Sequence, residues 1–194
     1  AWCDAGVICP WTLWRAYGDT QVIERCWEPM TRFIAWRKST SIDCLGIVHG
    51  NEWGDWLSVN EKTPLDYIDT AYFAYSTRLM GEMAQAIGKT KEAADYCELL
   101  GKITLAFNQK YVKPDGALAV DTQTAYALAL YMDLLPENLR AAAAARLAKK
   151  IQDNDGRMST GFLGTRPLLP VLSANGQPDL AVRLFQSRKY PSWG

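Results

Sequence analysis

The feature that most constrains the fold is a short joint that recurs between helical segments. Three times a glycine follows an apolar helical stretch, and a residue that can cap or open a helix comes one or two positions later: AYGDTQVIERC, AIGKTKEAADYC and ANGQPDLAVRL. A fourth joint, LLPENLRAAAAARL, has proline in the same place. Because such joints turn the chain back on itself, the sequence predicts four αα-hairpins.

The residues between the joints have a helical pattern, with apolar side chains at intervals of three and four. Within each hairpin the first helix is the more apolar and aromatic, and the second carries more charge. This asymmetry predicts an all-α toroid with buried inner helices and amphipathic outer ones. The helices are predicted to begin near Ala5, Gln21, Pro64, Lys91, Gln123, Glu137, Arg166 and Pro178.

The composition excludes several classes of protein. Lys+Arg and Asp+Glu balance at 21 each, whereas a nucleic-acid-binding protein normally carries a basic surplus. No apolar run approaches the ~18 residues of a membrane-spanning helix, and the first residues do not resemble a signal peptide. The 194 residues fit one domain or a large piece of one. We therefore expect no nucleic-acid partner and no membrane partner.

The cysteines indicate neither a disulfide framework nor a metal site. There are five, with no Cys-x-x-Cys pair, and His49 is the single histidine. Cys9, Cys26 and Cys97 lie among apolar helical residues and are predicted to be buried thiols. The pattern favours a reducing compartment, hence a cytoplasmic location, and predicts no bound metal.

The candidate site lies in the long segments between hairpins (residues 40–63, 113–121 and 154–165), which should gather at one rim. GNEWGDWLS holds Trp53 and Trp56 beside carboxylates, AWCDAG holds Trp2 and Asp4, and AVDTQTAYA is a third acidic loop. An indole face covers the C–H patch of a pyranose, and carboxylates accept bonds from sugar hydroxyls. This combination of residues is typical of a site for a neutral sugar.

Simpler interpretations of these residues remain open. Asp4 and Asp121 can act as helix N-caps only, and Trp53 and Trp56 can fold back as a lid over the mouth of the toroid. The other tryptophans of the first two helices are at helical spacing and are predicted to pack in the core: Trp11, Trp14, Trp27 and Trp36.

Several longer segments follow one another in a fixed order: DAGVICPWTLWRAYGDTQVIER, GDWL, TAYFAYSTRLMGEMAQAIGKTKEAADY, DTQTAYALAL, STGFLGTRPLLPVLSANGQPDLA and YPSWG. Together they resemble the catalytic domain of bacterial α-L-rhamnosidases, glycoside hydrolase family 78, over nearly the whole chain. The resemblance implies a six-hairpin α/α barrel, which agrees with the predicted hairpins. It also implies hydrolysis of terminal α-L-rhamnose from glycosides with inversion and without a cofactor.

The resemblance assigns roles to four residues. Trp2 and Asp4 match a Trp-x-Asp-Ala segment of the family, and Asp55 and Trp56 match a Gly-Asp-Trp-Leu segment. It implies that Trp2 and Trp56 are aromatic walls of the rhamnose pocket. Asp4 and Asp55 would orient loops or accept hydroxyl bonds. Trp53 matches no residue with a family role.

The family's two catalytic carboxylates fall outside this sequence, one upstream of WCDAG and one downstream of YPSWG. The resemblance therefore implies that residues 1–194 are a single partial domain, about four of six hairpins, truncated at both ends. Such a segment holds no catalytic residue and is expected to be inactive alone. The open faces of its inner helices predict self-association.

Two other functions remain open. The chain can be a non-catalytic α-hairpin scaffold that binds a sugar or a protein, or part of an α/α-barrel glycosidase acting on another sugar. Assays of the whole gene product with a panel of glycosides separate these possibilities.

Overall fold

The computed structural model describes residues 1–47 and 53–193. His49 and Glu52, both considered above, lie outside this described part of the chain. A 3₁₀ turn at Trp2–Asp4 leads into the first of eight α-helices in the described residues. These are α1 (Ala5–Tyr17), α2 (Gln21–Thr40), α3 (Leu65–Ala86), α4 (Thr90–Tyr111), α5 (Gln123–Tyr131), α6 (Glu137–Asp153), α7 (Phe162–Ala174) and α8 (Pro178–Gln186).

The helices pair in chain order as four hairpins, which confirms the predicted all-α hairpin arrangement. α1 packs on α2, α3 on α4, α5 on α6 and α7 on α8, while the first helices of successive hairpins contact one another from α1 through α3 and α5 to α7. Eight of the nine residues of α5 are buried, but only five of the 17 residues of α6. In α3 and α4 the numbers are 15 of 22 and five of 22, so in these two hairpins the first helix is the inner one, as predicted. The first hairpin does not show this difference, since two of the 13 residues of α1 and four of the 20 residues of α2 are buried.

The hairpin turns depend on residues in the left-handed conformation. Gly18 after α1 and Gly88 after α3 both have a φ of 73°, which glycine adopts without steric cost. Asp133, after α5, takes a φ of 58°, and the proline at 136 precedes α6. The joints seen in the sequence are therefore turns at helix C-termini, and a residue with positive φ ends each of these helices.

Some predicted helix boundaries were wrong. α7 begins at Phe162, four residues before its predicted start, and α4 takes Lys89 rather than Thr90 as its N-cap. The N-cap of α5 is Thr122, whose hydroxyl accepts a hydrogen bond from the Ala125 N–H at 3.1 Å. Asp121 instead pairs with Lys150.

The prediction of core packing for Trp36 was wrong, since 45% of its side chain is exposed. The buried stripe of α2 consists of Ile23, Met30, Ile34 and Arg37, and Trp36 lies beside it. Arg37 is buried because it donates to the Asp69 carboxylate of α3.

Cys9 and Cys97, predicted to be buried, are exposed, and all five cysteines are free thiols. Across residues 1–47 and 53–193, no group of three histidine, cysteine or acidic side chains is placed to hold a metal ion. No helix in the same ranges is both long and apolar enough to cross a membrane.

Candidate functional site

The site lies where the N-terminal ends of the inner helices meet the segments that precede them. The Trp2 indole Nε1 donates to the Gly54 carbonyl at 3.1 Å, which joins the start of the chain to the segment before α3. The Phe162 N–H donates to the Trp56 carbonyl at 2.9 Å, which joins that segment to the start of α7. Residues far apart in sequence are thereby collected at one rim, as predicted.

Three tryptophans at this rim line a small cavity of about 140 Å³: Trp2, Trp53 and Trp56. All three remain accessible, with exposed fractions of 40%, 68% and 46%. Exposed indoles are costly to leave in water unless they meet a ligand or a partner. The walls of the cavity therefore form an aromatic surface that can cover an apolar face of a ligand.

Phe162 completes this surface and was not identified from the sequence. Its ring stacks on Trp56, with ring centroids 5.4 Å apart and planes 15° from parallel. It also contacts Trp2 in an edge-to-face arrangement, with ring centroids 6.2 Å apart. Trp53 packs on Trp56 at 5.6 Å with the planes tilted by 59°. One face of Trp56 is thus covered by Phe162, which limits the orientations that the indole can adopt.

Asp55 anchors the tryptophan segment to α7. Its buried carboxylate accepts hydrogen bonds from the backbone N–H groups of Gly161, Leu163 and Gly164 at 2.8, 2.8 and 3.1 Å, and from the Thr124 hydroxyl at 2.5 Å. A carboxylate at a helix N-terminus satisfies N–H groups that have no partner within the helix and interacts favourably with the helix dipole. Both oxygens are therefore occupied by the protein itself.

The same contact requires glycine at position 161. A Cβ there would lie 2.3 Å from the Trp56 carbonyl oxygen and 2.5 Å from that of Asp55, both of them backbone atoms. Only a residue without a side chain allows the two backbones to approach so closely. The position of Trp56 is consequently fixed by backbone as well as by side-chain contacts.

Asp4 is also buried, with 1% of its surface exposed, and accepts a hydrogen bond from the Ser76 hydroxyl of α3 at 2.6 Å. It occupies the N-cap position of α1, but its side chain makes no capping hydrogen bond. Burial, and then the charges of Asp4 and Asp55, raise the pKa of the Tyr72 phenol well above its ordinary value. Tyr72 is therefore a neutral hydroxyl at physiological pH.

Asp121, in the third acidic loop, does not line the aromatic cavity. It lines a separate cavity of about 420 Å³ together with Glu61, and Lys150 pairs with both carboxylates at 3.2 and 3.3 Å. Glu61 also accepts from the Gln123 N–H at 2.9 Å and from the Ser159 hydroxyl at 2.6 Å. Lys150 offsets one of the two negative charges, and the bonds of Glu61 join the start of α5 to the segment before α7.

Comparison with known proteins places this arrangement in context. The family model of the bacterial alpha-L-rhamnosidase 6 hairpin glycosidase domain matches residues 1–194. An alpha-L-rhamnosidase of Streptomyces avermitilis is 46% identical over 193 residues, which cover 100% of this chain and 18% of that protein. An alpha-L-rhamnosidase of Formosa agariphila is 36% identical over 99% of this chain and 21% of its own length. The chain thus spans about a fifth of the length of these relatives.

Solved structures agree with the sequence comparison. The crystal structure of the Streptomyces avermitilis alpha-L-rhamnosidase complexed with L-rhamnose superposes with a TM-score of 0.94 at 46% identity, over 98% of this chain and 18% of that one. The native enzyme from Aspergillus terreus superposes with a TM-score of 0.87 at 29% identity, over 98% and 23% of the two chains.

Proposed function

Because this chain belongs to the family of bacterial α-L-rhamnosidase six-hairpin glycosidase domains, we propose that it is part of an enzyme that removes terminal α-L-rhamnose from glycosides. Since the chain spans about a fifth of its relatives, the activity is assigned to a longer protein that contains it. Residues 1–194 would then be a partial barrel domain that supplies one wall of the sugar pocket.

The observation that carries the proposal is the cavity between Trp2, Trp53 and Trp56. L-Rhamnose presents an apolar C6 methyl group and a C–H face, and burying one methyl-sized group contributes about 0.8 kcal/mol. Trp2 and Trp56 are the walls against which this face would lie. The complex of the Streptomyces avermitilis relative with L-rhamnose, at 46% identity, supports rhamnose as the sugar.

Asp4 and Asp55 are assigned a positioning role. Asp55 makes four hydrogen bonds within the protein, so its oxygens have little capacity left for sugar hydroxyls. Asp4 is equally inaccessible and binds Ser76. We assign to them the placement of Trp56 and Trp2, rather than direct contact with the sugar.

For the reaction we propose inversion by a pair of carboxyl groups about 6.5–9.5 Å apart, one protonating the leaving oxygen and one activating water. Both would come from outside residues 1–194. The two carboxylates of the proposed site, Asp4 and Asp55, support this, because burial leaves neither free to reach a water on the sugar. The isolated chain should therefore release no 4-nitrophenol from the 4-nitrophenyl α-L-rhamnoside.

The decisive experiment compares Trp56→Ala with wild type in the full-length protein that contains this chain. Losing one aromatic wall should weaken binding by about 1–3 kcal/mol, seen as a raised KM and a lowered kcat/KM on the aryl rhamnoside. Trp36→Ala is the matched control, since Trp36 has a similar exposed fraction but does not line the tryptophan cavity. Unchanged kinetics in Trp56→Ala would remove this residue from the pocket, and cleavage of a different glycoside only would reassign the sugar.

A further inference from the structure

Trp53 is the residue of the aromatic cluster that the proposed function leaves without a role. It is the most exposed of the eight tryptophans, at 68%, and its ring contacts Trp56. Trp56 is itself held by Phe162 and by the backbone of α7. The ring of Trp53 is therefore exposed to solvent and packs against Trp56, which is held in place by its own contacts.

A second cavity begins at the same two tryptophans. It has a volume of about 510 Å³ and lies between residues 53–58 and residues 62–65. Trp53 and Trp56 line both this cavity and the small one of about 140 Å³ that they share with Trp2. The two tryptophans thus lie between a small cavity and a larger one. The volume of the larger cavity is within the usual range for ligand sites, about 300–1,000 Å³.

The lining of the larger cavity indicates what it can bind. Leu57, Pro64 and Leu65 supply apolar surface, and Lys62 supplies a charged donor. Asp55 also lines the cavity, but its carboxylate is already occupied by hydrogen bonds. Such a space suits a planar, largely apolar group with hydroxyl substituents at its rim.

We propose that Trp53 is a specificity-determining residue that stacks on the aglycone, and that the preferred substrates are rhamnosides of planar aryl groups. The inference rests on the proposed function, because it requires rhamnose in the smaller cavity. A substrate with its sugar against Trp2 and Trp56 and its aglycone in the larger cavity passes along the exposed ring of Trp53. Stacking there strengthens binding of the aglycone more than binding of the sugar.

The test uses the full-length protein and two substrates, 4-nitrophenyl α-L-rhamnoside and methyl α-L-rhamnoside, with released rhamnose measured for both. Each variant is compared with wild type on one substrate at a time, which removes the difference in leaving-group reactivity. Trp53→Ala should lower kcat/KM on the aryl rhamnoside about 3- to 10-fold more than on the methyl rhamnoside. Trp53→Phe should retain most of the aryl activity, since it keeps an aromatic face.

Trp56→Ala should lower kcat/KM on both substrates by a similar factor, and inhibition by L-rhamnose should weaken more in this variant than in Trp53→Ala. An equal loss on both substrates in Trp53→Ala would overturn the inference by placing Trp53 in the sugar pocket. The absence of any loss would overturn it as well, by showing that Trp53 does not touch the aglycone. In either case a preserved effect of Trp56→Ala leaves the proposed function standing, whereas a protein that cleaves neither substrate would overturn both.

Discussion

Asp55 is expected to be the most sensitive single position in the site, although it contacts no sugar in our proposal. Asp55→Ala removes the acceptor for the backbone N–H groups of Gly161, Leu163 and Gly164 and for the Thr124 hydroxyl. Hydrogen bonds to a charged group contribute about 1.5–3 kcal/mol each, so a simple sum over the four would reach roughly 6–12 kcal/mol.

That sum overstates the loss, because burying the carboxylate costs desolvation energy that the variant no longer bears. Water can also enter the space left at the rim and bind some of the orphaned donors. We therefore expect Asp55→Ala to lower the free energy of unfolding by about 3–5 kcal/mol, as when one partner of a buried charged network is removed. Asp55→Asn, which keeps one acceptor oxygen, should cost less.

The assay is urea unfolding followed by far-UV circular dichroism, with hydrogen exchange of the N-terminal amides of α7 as a local measurement. Asp179→Ala is the control, because Asp179 is an exposed carboxylate in the first turn of α8 and should contribute at most about 1 kcal/mol. If Asp55→Ala destabilises no more than this control, or leaves exchange at Leu163 and Gly164 unchanged, the anchoring role is refuted.

Three further predictions concern Phe162, the ion pair of Asp66 and the exposed apolar surface of the chain. Phe162→Ala removes the ring that stacks on Trp56, so the Trp56 side chain should become more mobile. In the full-length protein this should weaken binding of the aryl rhamnoside by about 1 kcal/mol, measured as a lower kcat/KM. Phe162→Tyr, which keeps the stacked ring, is the control. Burial alone would raise the pKa of the half-buried Asp66, but hydrogen bonds from Lys110 and Tyr111 outweigh it and hold that pKa below its ordinary value. The ion pair between Asp66 and Lys110 should therefore stabilise the fold at neutral pH and lose that contribution as the pH falls below about 4. When the free energy of unfolding is measured by urea at decreasing pH, Asp66→Asn should lose less stability at acidic pH than wild type. An unchanged loss of stability in this variant would contradict the assignment. The isolated chain should self-associate through exposed apolar side chains of the inner helices such as Leu13 of α1, so light scattering should show a mass above 21.7 kDa that Leu13→Glu reduces. A monomer at high concentration would disprove this.

The hairpin architecture was predictable because its signals are local. A glycine such as Gly18 or Gly88 ends a helix through its own backbone conformation, and the burial of α5 follows from its unbroken apolar sequence. Thr122 caps α5 through a bond to Ala125, three residues away. Each of these features needs only a few neighbouring residues to be recognised.

The details of the site were less predictable because they depend on distant contacts. Asp55 was identified as a site residue, but its partners at 161–164 are more than 100 positions away and no local pattern connects them. Phe162 was missed because the proline at 167 suggested a later start for α7; the glycine at 161, directly before an apolar residue, was the available signal. Trp36 has the spacing of a core residue, but the buried stripe continues through Arg37, whose burial depends on Asp69.

The contacts of residues 53–63 have a consequence for the order in which the molecule assembles. Asp55 binds groups 106 to 109 positions later, and Glu61 binds Ser159, 98 positions later. Contacts of such high contact order form slowly, because the entropy of closing the intervening chain is lost before any bond is gained. Since synthesis proceeds from the N-terminus, Asp55 has none of its three backbone N–H partners until the start of α7 has emerged and docked. The wall of the pocket is therefore completed late in folding, and a mutation that delays α7 leaves Trp53 and Trp56 available for chaperone binding or aggregation in the meantime.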